Sequence, residues 1–318
     1  MKTVVLDRAA MGRDLDFGML GEFGPYELYD TTAADEVVKR CADADVVILN
    51  KVVLDAEKLN ALDNLKLVCV FATGFDNVDI AVAKARGVGV CNVPAYSTDS
   101  VMLTAVATVL SLVTHLVEYR NFVADGSYTA AGKANCLEPV YHEANGRTFG
   151  LVGYGNIGRA IGRVASALGY NIIVNKRTPV DDAEVVDIDT LCERSDVIVL
   201  CCPLTEQTRG LISRERIAKM KSGVVLVNSA RGAIVDEAAV ADAVISGKIG
   251  GFGCDVYSTE PFDKKHPYES IKNRDNVVLT PHFAWAAYES RVRCLNVVYN
   301  NIKSFVSGEA LNRVDKRG

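Results

Sequence analysis

Three polar residues in the second half of the chain, Arg231, Glu260 and His282, each follow a short apolar run that reads as a β-strand. Arg231 comes after the run ending Asn228-Ser229-Ala230, Glu260 after Asp255-Val256-Tyr257-Ser258-Thr259, and His282 after Thr280-Pro281. Carboxyl ends of parallel strands share one edge of a sheet, so these groups can converge beside one crevice. Together they suit a ketone–alcohol couple. A guanidinium holds a 2-oxo carboxylate and polarises the carbonyl by hydrogen bonding. An imidazolium donates the proton as hydride arrives at the carbonyl carbon. A carboxylate beside the imidazole orients it and favours its protonated form. Singly, each has an ordinary structural reading: a salt bridge, an acid before a proline turn, a histidine at a helix entry. Of the other histidines, His115 lies within an apolar helix and reads as core or interface, while His142 and His266 sit in loops without a supporting constellation.

A hydride needs a carrier, and the stretch from Phe149 to Thr178 is built for one. An apolar strand, Phe149-Gly150-Leu151-Val152, is broken by Gly153-Tyr154-Gly155-Asn156-Ile157-Gly158, then follow a helix-compatible segment, Gly169 and a second strand from Tyr170 to Val174. Strand, glycine turn, helix and strand within about 30 residues is the span of a βαβ unit. Gly153 permits the tight turn, Gly155 lets backbone approach a pyrophosphate, and Gly158 lets the helix pack close to the sheet. The free N–H groups and positive dipole end of the helix face the phosphates. An NAD site usually carries an acid about 20 residues on, for the adenosine ribose hydroxyls. Here the second strand runs into Asn175-Lys176-Arg177-Thr178, with no carboxylate. Two cations and two small polar groups suit a 2′-phosphate, so NADP is favoured and NAD remains possible. A solvated basic loop is the plainer alternative.

Composition narrows the class. The 318 residues suffice for two domains, and a formal net charge of −5 without a long basic run argues against nucleic acid or an anionic membrane as partner. The N-terminal Met1-Lys2-Thr3-Val4-Val5-Leu6 reads as a strand rather than a signal peptide, and no apolar run approaches the roughly 18 residues of a membrane span. Nine cysteines with no C-x-x-C pattern fit buried thiols in a reducing cytoplasm better than disulfides or a metal site; no metal is expected.

The elements that must position these groups alternate β and α along most of the chain, which implies parallel sheets covered on both faces. Strands are expected at Lys2–Leu6, Val46–Leu49, Leu67–Phe71 and Val88–Cys91, with helices at Asp55–Leu62 and Asp79–Arg86 capped by their aspartates. The loop from Ala72 to Asp79 leaves a strand end, and the N–H groups around Thr73 and Gly74 suit a small anion; a simple turn is an equal reading of the loop alone. A long apolar helix is expected from about Asp99 to Tyr119, then an irregular stretch over 121–147. Further strands fall at 196–202 (stopped by Pro203), 224–228, 250–256 and 277–280, with helices at Leu211–Met220, Asp236–Ser246 and, at the end, Ala284 to Ser307.

Taken in order, these motifs resemble the D-2-hydroxyacid dehydrogenase family over nearly the whole chain. The resemblance is carried by Ala72–Asp79, Asn92-Val93-Pro94 with Ser97-Thr98, Gly153–Gly158, Asn228-Ser229-Ala230-Arg231-Gly232, Asp255-Val256-Tyr257 with Glu260-Pro261, and Thr280-Pro281-His282. It implies two Rossmann-like doubly wound parallel-sheet α/β domains with the active site in the cleft between them. The smaller, substrate domain is discontinuous, 1–98 with 285–318, and 99–284 is the dinucleotide-binding domain. It further implies that Arg231 binds substrate, His282 is the acid/base and Glu260 its partner. The Thr73–Gly74 amides hold the carboxylate, Ala230 and Asp255 lie on the nicotinamide side, and Thr98, Cys202 and Pro203 join the cofactor set. Members are typically cytoplasmic homodimers. Tyr96-Ser97-Thr98-Asp99-Ser100-Val101 and His282-Phe283-Ala284-Trp285-Ala286 are most similar to glycerate dehydrogenases, also called hydroxypyruvate reductases. Trp285 then faces substrate or serves as an aromatic anchor between the domains. The expected activity is reduction of a small 2-oxo acid, hydroxypyruvate or glyoxylate, to the D-2-hydroxy acid. The alternative is a non-catalytic dinucleotide-sensing interaction protein on the same fold.

Overall fold

Short, fully buried valine-rich runs form most of the strands, as parallel strands covered on both faces require. The computed structural model describes residues 1–316. The chain divides into two units, one comprising Met1–Ser97 with the chain from Ala286 onward, the other Thr98–Trp285. These divisions fall one residue before and one residue after the expected ones, so Thr98 and Trp285 both belong to the second unit.

In the first unit, β1 (Thr3–Val5), β2 (Tyr26–Leu28), β3 (Val46–Leu49), β4 (Leu67–Val70) and β5 (Gly89–Cys91) form a sheet in the order β2-β1-β3-β4-β5. Every pairing is parallel. Three helices, α1 (Val37–Cys41), α2 (Ala56–Asn60) and α3 (Ile80–Ala85), connect them. Asp55 and Asp79 cap α2 and α3, accepting from the Lys58 and Val82 N–H groups at 3.0 Å each. The edge strand β2 and helix α1 are additions to the expected elements; β2 is short and exposed on both outer positions, so it carries no apolar signature.

The second unit begins with α4 (Thr98–Val113), α5 (Leu116–Ala124) and α6 (Ser127–Ala131). The single long helix expected here is broken. The chain turns by 63° between α4 and α5, because His115 takes a left-handed backbone with φ 52°. His115 is thus a hinge residue paired with Glu118 at 2.8 Å, not a mid-helix core residue. The stretch expected to be irregular also contains the end of α5 and all of α6.

A seven-stranded sheet follows, from β6 (Thr148–Val152), β7 (Asn171–Asn175), β8 (Glu184–Val185), β9 (Val197–Leu200), β10 (Val224–Asn228), β11 (Ile249–Cys254) and β12 (Val277–Leu279). Its order is β12-β11-β10-β9-β6-β7-β8, all parallel. The connecting helices are α7 (Asn156–Ala167), α8 (Ile188–Arg194), α9 (Arg214–Lys219) and α10 (Glu237–Ile245). Side chains alternate between faces with the strand period of two. Val197, Val199, Val225 and Val227 pack with Ala105, Val109 and Ile161 of α4 and α7. Ile198, Leu200, Leu226 and Phe252 pack with Leu191, Ile217 and Val240 of α8, α9 and α10 on the other face. The sheet is doubly wound. The last helix, α11 (Tyr288–Val306), returns to the first unit and packs on β4. It starts four residues later than expected. Among the described residues no single helix is long and apolar enough to cross a membrane.

Candidate active site

Because every strand of the second sheet is parallel, the ends of β6, β7, β9, β10, β11 and β12 lie along one edge. Strand order reverses between β6 and β9, the switch point where such sheets bind ligands. There Gly153 adopts φ 93°, and a Cβ on it would lie 2.7 Å from the Cys202 backbone nitrogen. The Cys201-Cys202-Pro203 segment therefore forms the opposite wall of the glycine turn. A Cβ on Gly158 would collide with the Gly153 carbonyl oxygen, while one on Gly155 would meet no protein atom within 4 Å. Gly155 leads into the 12-residue helix α7, whose start no side chain caps. Its first-turn N–H groups, beginning at Asn156 and Ile157, suit a pyrophosphate. The Tyr154 ring is buried against the sheet under Arg159 and so faces away from the turn. Burial pushes the Cys202 thiol up to about 11, which suits a wall residue rather than a nucleophile.

Beyond β7, Lys176 is half-buried and Arg177 and Thr178 are exposed. Arg177 donates to the Gln207 side chain at 3.1 Å, and Asn175 donates to the Val186 carbonyl at 3.0 Å, tying this loop to the segments that follow β9 and β8. Asp182, farther along, is held by Arg159 of α7 in an ion pair.

At the ends of β11 and β12 the expected acid and base meet. Glu260 Oε2 lies 2.6 Å from His282 Nδ1. With Nδ1 committed to a carboxylate, Nε2 is the nitrogen that can exchange a proton with a ligand. His282 itself sits at φ 53°, a left-handed conformation that non-glycine residues seldom adopt and that often marks functional sites. Asp255 is the reason it is held there. The buried carboxylate accepts from the Thr280 hydroxyl at 2.6 Å, the Phe283 N–H at 3.0 Å and the Ala284 N–H at 2.9 Å, bracketing His282. The Asp255 side chain is thus spent on this loop. Trp285 donates its indole N–H to the His282 carbonyl at 3.0 Å, a local brace.

The loop after β10 is shaped by Asn228, fully buried, which accepts from the Ala230 N–H at 3.1 Å and donates to the Arg231 carbonyl at 2.9 Å. Arg231 is followed by Gly232, where a Cβ would fall on the Tyr257–Ser258 peptide. The loops bearing Arg231 and Glu260 therefore touch through backbone. In the first unit, Thr73 donates its hydroxyl to the Val93 carbonyl at 2.8 Å, and Asn92 donates to the Thr73 carbonyl at 2.8 Å, which fixes the loop carrying Thr73 and Gly74. His266 departs from expectation. It lies 3.0 Å from Glu237, almost fully buried, within a ring of aromatic side chains. The partner is 29 positions away in sequence, so no local pattern could signal the pair.

Residues 106–284 match the family model described as D-isomer specific 2-hydroxyacid dehydrogenase, NAD binding domain. A hydroxypyruvate reductase from Blautia hydrogenotrophica is 37% identical over 99% of this chain and 100% of its own. A glycerate dehydrogenase from Methylorubrum extorquens is 36% identical over 99% of each. The crystal structure of D-lactate dehydrogenase from Aquifex aeolicus, complexed with NAD and lactic acid, superposes with a TM-score of 0.88 at 27% identity, covering 100% of both chains. With a doubly wound sheet, a glycine turn at its switch point and relatives matched from end to end, the chain belongs to the D-isomer specific 2-hydroxyacid dehydrogenases.

Proposed function

We propose that this enzyme reduces a small 2-oxo acid, hydroxypyruvate or glyoxylate, to the D-2-hydroxy acid, and that NADPH is its preferred reductant. The observation that carries the reading is the Glu260–His282 contact at 2.6 Å, on the same sheet edge as the glycine turn. The names of the two relatives point to hydroxypyruvate and glycerate as the substrate couple. When bound, the reduced nicotinamide supplies the hydride. Arg231 holds the substrate carboxylate and polarises the adjacent carbonyl, and the N–H groups at Thr73 and Gly74 are the first unit's donors suited to a carboxylate. As the carbonyl carbon gains hydride, its π pair moves to oxygen, and that oxygen takes the proton from His282 Nε2. His282 ends neutral and is reprotonated from solvent. Glu260 keeps the ring aimed through its contact with Nδ1. Asn175, Lys176, Arg177 and Thr178 would hold the adenosine 2′-phosphate, Ala230, Thr98, Cys202 and Pro203 would line the rest of the cofactor site, and Trp285 would border the substrate.

The test follows the loss of reduced-nicotinamide absorbance with NADPH and with NADH, each against hydroxypyruvate, glyoxylate, pyruvate and phenylpyruvate. Rapid oxidation of NADPH by hydroxypyruvate or glyoxylate is expected. His282→Ala should lower kcat by about 10²–10⁴-fold while cofactor affinity changes little. Tight cofactor binding without turnover on any acid would instead favour the dinucleotide-sensing alternative.

A cytoplasmic homodimer is the further part of this reading. Helices α4–α6 and the segment after them expose Leu103, Leu116, Val123, Leu137, Val140 and Tyr141, with 55–75% of each accessible. So much apolar surface on one stretch suits a second copy of the chain.

A further inference from the structure

We propose that Glu237 and His266 are a positioning pair that sets the Glu260 loop against His282 and Arg231. The proposal rests on the acid–base reading of Glu260 and His282.

Neither residue touches the reacting groups. Glu237 opens α10, six residues after Arg231. Its Oε1 accepts from the Ser258 N–H at 2.9 Å, and its Oε2 accepts from the Ser258 hydroxyl. Oε2 also faces His266 Nε2 at 3.0 Å. The other ring nitrogen, Nδ1, accepts from the Tyr268 N–H at 3.2 Å, so Nε2 carries the hydrogen and donates to Glu237. The pair is deeply set, with side-chain exposures of 6% for His266 and 10% for Glu237. Phe262 and Tyr268 lie 4.7 and 4.8 Å from the imidazole centroid, and Tyr257 lies 6.0 Å away.

Ser258 is the point of leverage. The Tyr257 N–H donates to Glu260 Oε1 at 3.1 Å, and Glu260 Oε2 meets His282 at 2.6 Å. Between Glu237 and Glu260 the chain of contacts therefore runs through one dipeptide, Tyr257-Ser258. Gly232 presses on that same dipeptide from the Arg231 side. Nothing in the loop beyond Ser258 is regular secondary structure until the short 3₁₀ turn at Pro267–Ser270, which His266 itself caps. A carboxylate with two oxygens and three donors, in a poorly solvated setting, is a stiff anchor for such a loop. Loss of the anchor lets Glu260 drift from His282, and a misplacement of about 1 Å at such a site costs on the order of 10²-fold in rate.

The experiment compares Glu237→Ala, Glu237→Gln, Ser258→Ala and His266→Phe with the wild type, using NADPH and hydroxypyruvate. Turnover is expressed per cofactor-binding site, counted by nicotinamide fluorescence titration, so that loss of folded protein is not read as loss of rate. For Glu237→Ala we expect kcat to fall about 10- to 100-fold, KM for the 2-oxo acid and affinity for NADPH to stay within about twofold, and the solvent deuterium isotope effect on kcat to rise as proton transfer becomes limiting. Glu237→Gln retains an oxygen for Ser258 and should recover most of the rate. His266→Phe keeps a ring among the aromatics but removes the donor, and should fall between. Should Glu237→Ala fail to fold, Ser258→Ala and His266→Phe carry the test. A wild-type kcat per site and an unchanged isotope effect, with only a lowered melting temperature, would overturn the proposal. Glu260→Gln and His282→Ala run in parallel. If these two collapse turnover and the Glu237 and His266 variants do not, positioning alone fails. If these two retain turnover, the acid–base reading fails and the positioning proposal with it.

Discussion

At the scale of single residues, charge and reach decide the chemistry. Glu260 and His282 are 22 positions apart and share a 2.6 Å contact, and Asp255 spends both oxygens on the loop that presents the imidazole. On the cofactor side, Lys176 and Arg177 stand where an NAD-preferring site offers an acid. On the proposed NADP reading, replacing both with Asp should lower the ratio of kcat/KM for NADPH to that for NADH by at least about tenfold, since each lost cation would remove a charge-assisted contact and each acid would repel the 2′-phosphate. Steady-state kinetics with both cofactors measure it. An unchanged ratio would make the two cations ordinary surface charge.

At the scale of elements, the glycine turn separates protein sterics from ligand sterics. Gly153 is left-handed and backed by the Cys202 backbone, and Gly158 is backed by the Gly153 carbonyl, so Ala at either position strains the apoprotein. Gly155 lies in open space with extended backbone at φ −86° and ψ −157°, which any residue adopts. Gly153→Ala and Gly158→Ala should therefore lower the melting temperature without cofactor. Gly155→Ala should leave it unchanged while weakening NADPH binding by about tenfold or more. Thermal unfolding with and without NADPH distinguishes the two. A destabilised Gly155→Ala apoprotein would contradict this assignment of space.

At the scale of the whole molecule, the chain end and the exposed helices matter most. Residues near the C-terminus cover the edge strand β5 of the first sheet: Arg313 bridges Cys91, and Val314 donates to the Val90 carbonyl at 2.8 Å. Covering an edge removes a template for unwanted strand pairing. Asp315 secures the cover, accepting from the Val90 N–H at 2.8 Å and from Arg313 at 2.7 Å. Burial raises its carboxyl, but the Arg313 guanidinium and the Val90 N–H outweigh this and hold it below the usual carboxylate range. A depressed value stabilises the fold above the unfolded pKa of about 3.9, and that contribution is lost as pH falls through the lower folded value. Asp315→Asn should cost about 2 kcal/mol at neutral pH in urea unfolding, with the difference shrinking as pH falls below the unfolded carboxylate value. A difference independent of pH would rule out the ion pair as its source. For the helices, Leu116→Glu should convert the proposed dimer to monomer in sedimentation velocity. A wild-type chain that already sediments as a monomer would end that reading.

Read from the sequence, the glycine fingerprint, the buried strands and the capping aspartates were legible because each is a local pattern: a spacing of glycines, an apolar run, an acid ahead of a helix. Asp55, Asp79 and Asp236 cap the helices they precede. That Glu260 and His282 meet could be expected because strand ends in a parallel sheet share an edge, so order along the chain translates into proximity. What tertiary structure alone decided depends on contacts between distant residues. Examples are the break at His115, the edge strand β2, the use of Asp255 to hold the His282 loop, and the burial of His266 against Glu237. A hydrogen bond depends on two atoms lying within about 3 Å, and side chains 20 or 30 residues apart carry no periodic mark of their pairing. The sequence by itself determined the layered α/β fold and the residue types available to the chemistry. The folded backbone decided which of them are aimed and what holds them there.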